Sequence, residues 1–474
     1  MKKITLFTAK YFVFIALLAL APLSKYPSIS LPLFNFSSFR LGLYQILALI
    51  FIGLFFWNKD YKFLKNNKPA LLGLLLVAFS VVVGGFFAID RSRWALLGSS
   101  VIMLLLLLVA AWGFVAENFN KIEWEQLFKV VMVAGIAISV LAIIQFIVNS
   151  FTTEDFGILC KNCVGSVFGF PRVNLFSAEP QFLANSLLPV LFISLFVFVN
   201  KKSKLALFSL VLSSLVIGLT FSRGAFIALA AGIIAYWVFG YKNIKRLAGG
   251  SLVIILSILL AIVLLITSAS IKYRSVENIT YETTNTVLQQ LTLGVISLPE
   301  KQVAVVVSTP PTNAVPTNTT TEENFESPGL IEESGNERLE AAKLALQAWT
   351  YTVKNIIIGT GLGNLGPFVV NNINSSAPAN LTVYIFFVLV IAEMGILGFV
   401  GFLLLLISPV VILVKKYRLK QPAFMPVVIA VIAAFAVQYI FFGSYINVVY
   451  IWLWLGIVAA LASLSQKQLS NLIK

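Results

Sequence analysis

Three polar segments hold the residues of this chain best suited to chemistry. In Phe170-Pro171-Arg172-Val173-Asn174-Leu175-Phe176-Ser177-Ala178-Glu179-Pro180-Gln181-Phe182, a cation and a carboxylate stand seven residues apart. Thr220-Phe221-Ser222-Arg223-Gly224-Ala225 sets a second arginine between two apolar runs, and Arg338 lies where a polar stretch becomes helix-periodic. A guanidinium is planar, permanently charged and bidentate, so several arginines beside one carboxylate suit a diphosphate. The 474 residues include no His, which leaves Glu179 as the candidate general base toward a hydroxyl. Each group also has a plainer reading. Glu179 beside Pro180 suits a helix start, Arg223 can snorkel to headgroups, and Arg338 can be a solvated charge.

Other signals are weaker. Asp90-Arg91-Ser92-Arg93-Trp94 is a candidate site for anionic headgroups through Arg91 and Arg93. Cys160 and Cys163 in one outer loop suit disulfide closure better than redox or metal chemistry. Gly359-x-Gly361-x-Gly363 follows no strand, so it does not read as a dinucleotide loop. No metal and no cofactor is expected.

The elements that must position these residues are membrane helices. Hydrophobic residues make up 59% of the chain and charged residues 11%, with a mean hydropathy of +0.95, too few charges to cover a water-facing surface. The net charge of +15 then reads as basic cytoplasmic loops rather than as a nucleic-acid surface. Apolar runs centre on 6–23, 42–57, 69–89, 95–116, 127–149, 182–199, 205–221, 225–240, 250–270, 395–414, 422–442 and 446–463. This predicts an all-α polytopic membrane protein with about twelve transmembrane helices. The first run reads as an uncleaved span. Lys59, Lys62, Lys65, Lys68, Lys201, Lys202, Lys204, Lys242, Lys245, Arg246, Lys415, Lys416, Arg418 and Lys420 fall in alternate connections, which places both termini in the cytoplasm.

Parity makes 381–394 a half-helix at the outer face, leading through Gly395 into the tenth span, with a cavity near Tyr384 and Glu393. The organisation is therefore nine spans in 1–270 with a short outer loop at about 150–181, a large extracytoplasmic loop in 271–380, and the half-helix with three spans in 381–474. Within the large loop, 302–335 reads as a polar flap or linker. From Asn336 an amphipathic helix of about 16 residues is expected. Arg338 lies in its first turn and Leu339, Ala342, Leu346 and Trp349 recur along it.

These residues give the chain a resemblance to the O-antigen ligase and O-antigen polymerase superfamily of bacterial envelope glycosyltransferases. The resemblance rests on Arg172…Glu179-Pro180, Ser222-Arg223-Gly224-Ala225, Arg338 with its helix to Trp349 and the glycine turn through Asn364, and Ala392-Glu393-Met394-Gly395-Ile396-Leu397-Gly398, in that order. It covers roughly 160–400. It implies transfer of glycan from an undecaprenyl-diphosphate carrier to a glycan or lipid acceptor at the outer face of the bacterial inner membrane, among membrane lipids, with no nucleic acid. It also implies that Arg172, Arg223 and Arg338 hold the diphosphate. Ligases usually carry a His-Asn pair about nine residues before the Glu matching Glu393; Tyr384-Ile385 stands there, which tilts the reading toward a polymerase. The rival class is a transporter or flippase, against which stand the lack of an internal repeat and the gathering of polar residues at one face.

Overall fold

The computed structural model describes residues 5–23, 27–30, 40–57, 61–152, 156–158, 166–167, 170–177, 179–240, 244–273, 329–417, 424–444 and 448–465. The apolar runs become helices because a chain in hydrocarbon must satisfy its own backbone groups. The first nine are α1 (Leu6–Ala19), α2 (Leu43–Phe56), α3 (Lys68–Phe86), α4 (Arg91–Asn118), α5 (Trp124–Phe151), α6 (Pro180–Lys201), α7 (Lys204–Leu219), α8 (Arg223–Phe239) and α9 (Ile244–Tyr273). Among the described residues three follow, in the segment expected to form the large loop: α10 (Gly329–Thr350), α11 (Val353–Ile358) and α12 (Leu365–Asn372). The last three are α13 (Phe386–Tyr417), α14 (Met425–Gln438) and α15 (Val449–Ser463).

Six of these, α3, α4, α5, α6, α9 and α13, are long and apolar enough to cross a membrane, and α1, α2, α7, α8, α14 and α15 are shorter apolar helices. The chain is thus a helical membrane protein. Among the described residues, strand is confined to two antiparallel ladders, β1 (Ser28–Ser30) with β2 (Arg40–Gly42) and β3 (Ser166–Val167) with β4 (Phe170–Pro171). Two or three residues per strand can pin a loop but cannot form a sheet layer.

Helix α6 is the central post. In its most apolar 18-residue window 83% of residues are buried inside the protein, against 33% for α9, whose free surface is left to lipid. Around it α3 packs on α13, α4 on α15, α7 on α9 and α8 on α14. The 22 residues of α6 span about 33 Å, close to the thickness of a hydrocarbon core.

Cations gather at its C-terminal end. Lys201 Nζ pairs with Glu125 at 2.8 Å, and Arg246 Nη1 donates to the Val199 carbonyl at 3.2 Å. Lys416 Nζ donates to the carbonyls of Ala462 and Leu464 at the end of α15. Cations stabilise helix C-termini, so Arg246 helps to close α6 and Lys416 to close α15. Tags at Lys202 and Lys416 are expected to report cytoplasm and a tag near Asn318 the outside; an outside signal at Lys416 contradicts this orientation.

The loop helix differs from expectation in three ways. It begins at Gly329, so residues 329–335 are helical rather than linker, and Arg338 lies near its middle rather than in its first turn. Its buried face is Ala341, Ala342, Ala345 and Ala348, while Leu339 and Leu346 are 53% and 42% exposed. Helix α10 packs on α13, and small side chains let two helix backbones approach closely. The remainder of the flap, 302–328, and Cys160 with Cys163 lie outside the described residues.

Candidate active site

The segment carrying Arg172 and Glu179 is anchored by a buried amide network. Gln145 of α5 accepts from the backbone N–H groups of Asn174 and Leu175 through Oε1, at 3.0 and 2.8 Å. Its Nε2 donates to Asn174 Oδ1 and to the Phe156 carbonyl, both at 3.0 Å. Asn174 Nδ2 donates to the Ser177 carbonyl at 2.8 Å, and Asn149 exchanges hydrogen bonds with the Phe156 backbone. The anchor holds a strained path: Leu175 and Phe176 both have positive φ, 33° and 57°. Such conformations cost about 1–3 kcal/mol each and persist only where their surroundings impose them.

Arg172 reaches from this segment to the turn between α7 and α8. Its Nε donates to the Thr220 carbonyl at 2.9 Å and its Nη2 to the Phe221 carbonyl at 3.1 Å. Phe221, at φ 48°, is a further left-handed residue, and that turn aims both carbonyls at Arg172 while starting α8 at Arg223. Arg172 is therefore a brace with two of its donors committed, which limits what it can offer an anion. Burial is the chief cause that brings its pKa down to about 10, followed by Arg223; Glu179 opposes and Arg338 adds.

Glu179 is the N-cap residue of α6 by backbone position, yet its carboxylate caps nothing. Burial pushes its carboxyl pKa up, opposed by the charges of Arg338 and then Arg172. Arg338 arrives from α10 with its Cζ 4.6 Å from the Tyr384 ring centroid, a cation–π distance. Its buried Nε has no hydrogen-bond partner among the described residues. Arg172, Glu179, Arg223 and Arg338 thus lie within one electrostatic neighbourhood, with Tyr384 against Arg338.

Arg91, Arg93 and Glu393 are placed differently. Arg91 opens α4 and is exposed. Arg93 pairs with Asp90 at 3.1 Å and donates through Nη1 to the Ala379 carbonyl at 2.8 Å, stitching α4 to the loop before α13. Glu393 and Arg93 line a cavity of about 220 Å³ with Gly363, Thr382 and Ser444. The cavity lies at Glu393 and at Thr382 and Val383, next to Tyr384 in the chain, while the Tyr384 ring itself stands against Arg338.

The glycine turn has its own role there. Helix α13 breaks at Gly395, φ 65° and ψ −169°. The break frees carbonyls inside the protein, and the turn satisfies them. Thr360 N donates to the Ala392 carbonyl at 2.9 Å, Gly361 N to the Glu393 carbonyl at 3.0 Å, and Ser80 Oγ to the Met394 carbonyl. Gly363 N donates to Glu393 Oε1 at 3.0 Å. Gly359, at φ 77°, lies so close to Glu393 that an added Cβ would collide with its carbonyl. Gly359→Ala is expected to destabilise the protein by about 2–4 kcal/mol, from the left-handed backbone and the overlap together. Thermal unfolding in detergent checks this, and an unchanged Tm contradicts it.

Sequence reasoning missed Gln145, Asn174 and Thr360. A single amide inside an apolar run such as that of α5 is its one visible signal, since polar side chains in a span seek partners inside the protein. No known protein family matches this sequence, and none of the curated proteins compared with it matches either.

Proposed function

We propose that this chain is a metal-independent glycosyltransferase of the O-antigen polymerase and ligase type, acting more as polymerase than ligase. It takes glycan from an undecaprenyl-diphosphate-linked donor at the outer face of a bacterial inner membrane. The reading counts all twelve apolar helices as spans, with both termini cytoplasmic. The observation that carries it is the convergence of Glu179, Arg223 and Arg338 from three separate connections, with Arg172 bracing the turn before Arg223.

In the proposed reaction the Glu179 carboxylate takes the proton of the acceptor hydroxyl. The hydroxyl oxygen forms a bond to the anomeric carbon of the donor sugar. The bond from that carbon to the carrier's diphosphate breaks, and its electron pair leaves with the diphosphate. Arg223 and Arg338 balance the negative charge that develops there, the kind of electrostatic stabilisation that acts most strongly in a buried site. Burial suits Glu179 to the role, because a raised carboxyl pKa makes a stronger base than a solvated one.

The test is incubation of the purified protein with a lipid-linked oligosaccharide, read by mass spectrometry. Longer glycans or a glycosylated lipid acceptor support the reading and separate polymerase from ligase. Movement of the lipid across a vesicle membrane without a new bond replaces it with a flippase.

A further inference from the structure

Two helix N-termini meet at the charged site, and neither is capped by a side chain: Glu179 before α6 and Ser222 before α8 make no cap hydrogen bond. The first-turn N–H groups of a helix have no intrahelical partner and attract anions. Between these two ends lies Gln181. Its Nε2 is buried and has no hydrogen-bond partner among the described residues. It also sits so close to Gly224 that a Cβ added there would stand 2.8 Å from it. A buried amide donor without a partner costs about 1–3 kcal/mol, so its place beside Arg223 and an uncapped helix start calls for an acceptor brought from outside. Asn185, one turn deeper on the same face of α6, is fully buried, and neither of its amide atoms is partnered among the described residues.

We propose that Gln181 and the first turn of α8 form the seat of a phosphate group, with Gln181 Nε2 and the backbone N–H groups of Gly224 and Ala225 donating to its oxygens beside Arg223. The inference rests on the proposed function for the source of that group, the diphosphate of a polyprenyl carrier. Gly224 belongs to the seat because it leaves room for the amide. Arg172 holds the preceding turn and stands behind it. The seat then has neutral donors in a fixed geometry as well as the arginine charges, an arrangement that recognises tetrahedral phosphate oxygens rather than negative charge alone.

The experiment measures binding of bare undecaprenyl diphosphate to the protein in nanodiscs, with undecaprenol as the phosphate-free control. Gln181→Leu is expected to weaken diphosphate binding about tenfold or more, the worth of a hydrogen bond to a charged acceptor. Gln181→Glu, of nearly the same shape but opposing charge, is expected to weaken it further. Gly224→Ala, which displaces the amide, is expected to act in the same direction, and undecaprenol binding is expected to change in none of them. Wild-type diphosphate affinity in Gln181→Glu overturns the seat, and so does an equal loss for undecaprenol, which marks a purely structural residue. If the wild type binds the diphosphate in this pattern but forms no glycosidic bond, the glycosyltransferase reading falls and the seat stands. If the wild type transfers glycan and Gln181→Leu leaves its donor KM unchanged, the seat falls and the reading stands.

Discussion

Replacing Arg223 or Arg338 by Ala is expected to reduce glycan transfer at least about tenfold, since each lost charge-assisted contact removes roughly 1.5–3 kcal/mol from the transition state. Arg223→Lys is expected to remain poor, because a point charge does not reproduce the planar fork. Arg172→Ala should do as much damage by another route. Its guanidinium holds the Thr220 and Phe221 carbonyls and with them the left-handed Phe221. Its loss removes the donor from two carbonyls, one of them on a residue with no exposed surface, and lets the turn before Arg223 relax. The three variants therefore separate by readout. Arg223→Ala and Arg338→Ala lower transfer with Tm nearly unchanged, whereas Arg172→Ala lowers both. Undiminished transfer in folded, membrane-inserted Arg223→Ala removes the site from consideration.

The second large effect concerns Glu179 and pH. A base must be ionised to act, so transfer is expected to rise with pH through the raised pKa of Glu179. Stability carries the opposite sign. A carboxyl whose folded pKa lies above its unfolded value binds its proton more tightly in the folded chain. Its contribution is complete below the ordinary carboxylate range and is lost as pH rises through the folded value. Glu179→Gln is expected to suppress turnover about a hundredfold or more, within the range of general-base catalysis, with the donor still bound. It should also remove both the acid limb of the rate profile and that part of the pH dependence of stability. An intact acid limb in Glu179→Gln reassigns the base, and near-normal turnover reduces Glu179 to the start of α6.

Much of the fold is legible in the sequence because hydrocarbon permits few solutions. Runs of apolar residues must be helical, and a glycine inside one, as at Gly395, can be read as a break from the parity of the connections. What is not legible is which face packs. The leucine stripe of α10 suggests one face, yet the alanines pack against α13 and Leu339 and Leu346 stay exposed. The charged residues of the site can be named from their types, but not their duties. Arg172 and Arg223 look alike in sequence, and only the positive φ of Phe221 and the carbonyls it presents make one a brace. Gln145 carries no periodic signal at all, because a single amide that ties down a strained loop repeats nowhere. Arg93 and Glu393 bind protein groups across α4, the glycine turn and α13, a pairing of segments far apart in the chain that no local pattern reveals.

The central claim is that bond formation and carrier release are one event at one site. The most direct measurement counts both in the same sample: undecaprenyl diphosphate released and glycosidic bonds formed by purified protein given a lipid-linked oligosaccharide. One carrier released per new bond is expected in the wild type, with both products falling together in Arg223→Ala and Glu179→Gln. Translocation of the lipid with neither product formed, or bond formation undiminished in both variants, contradicts the account.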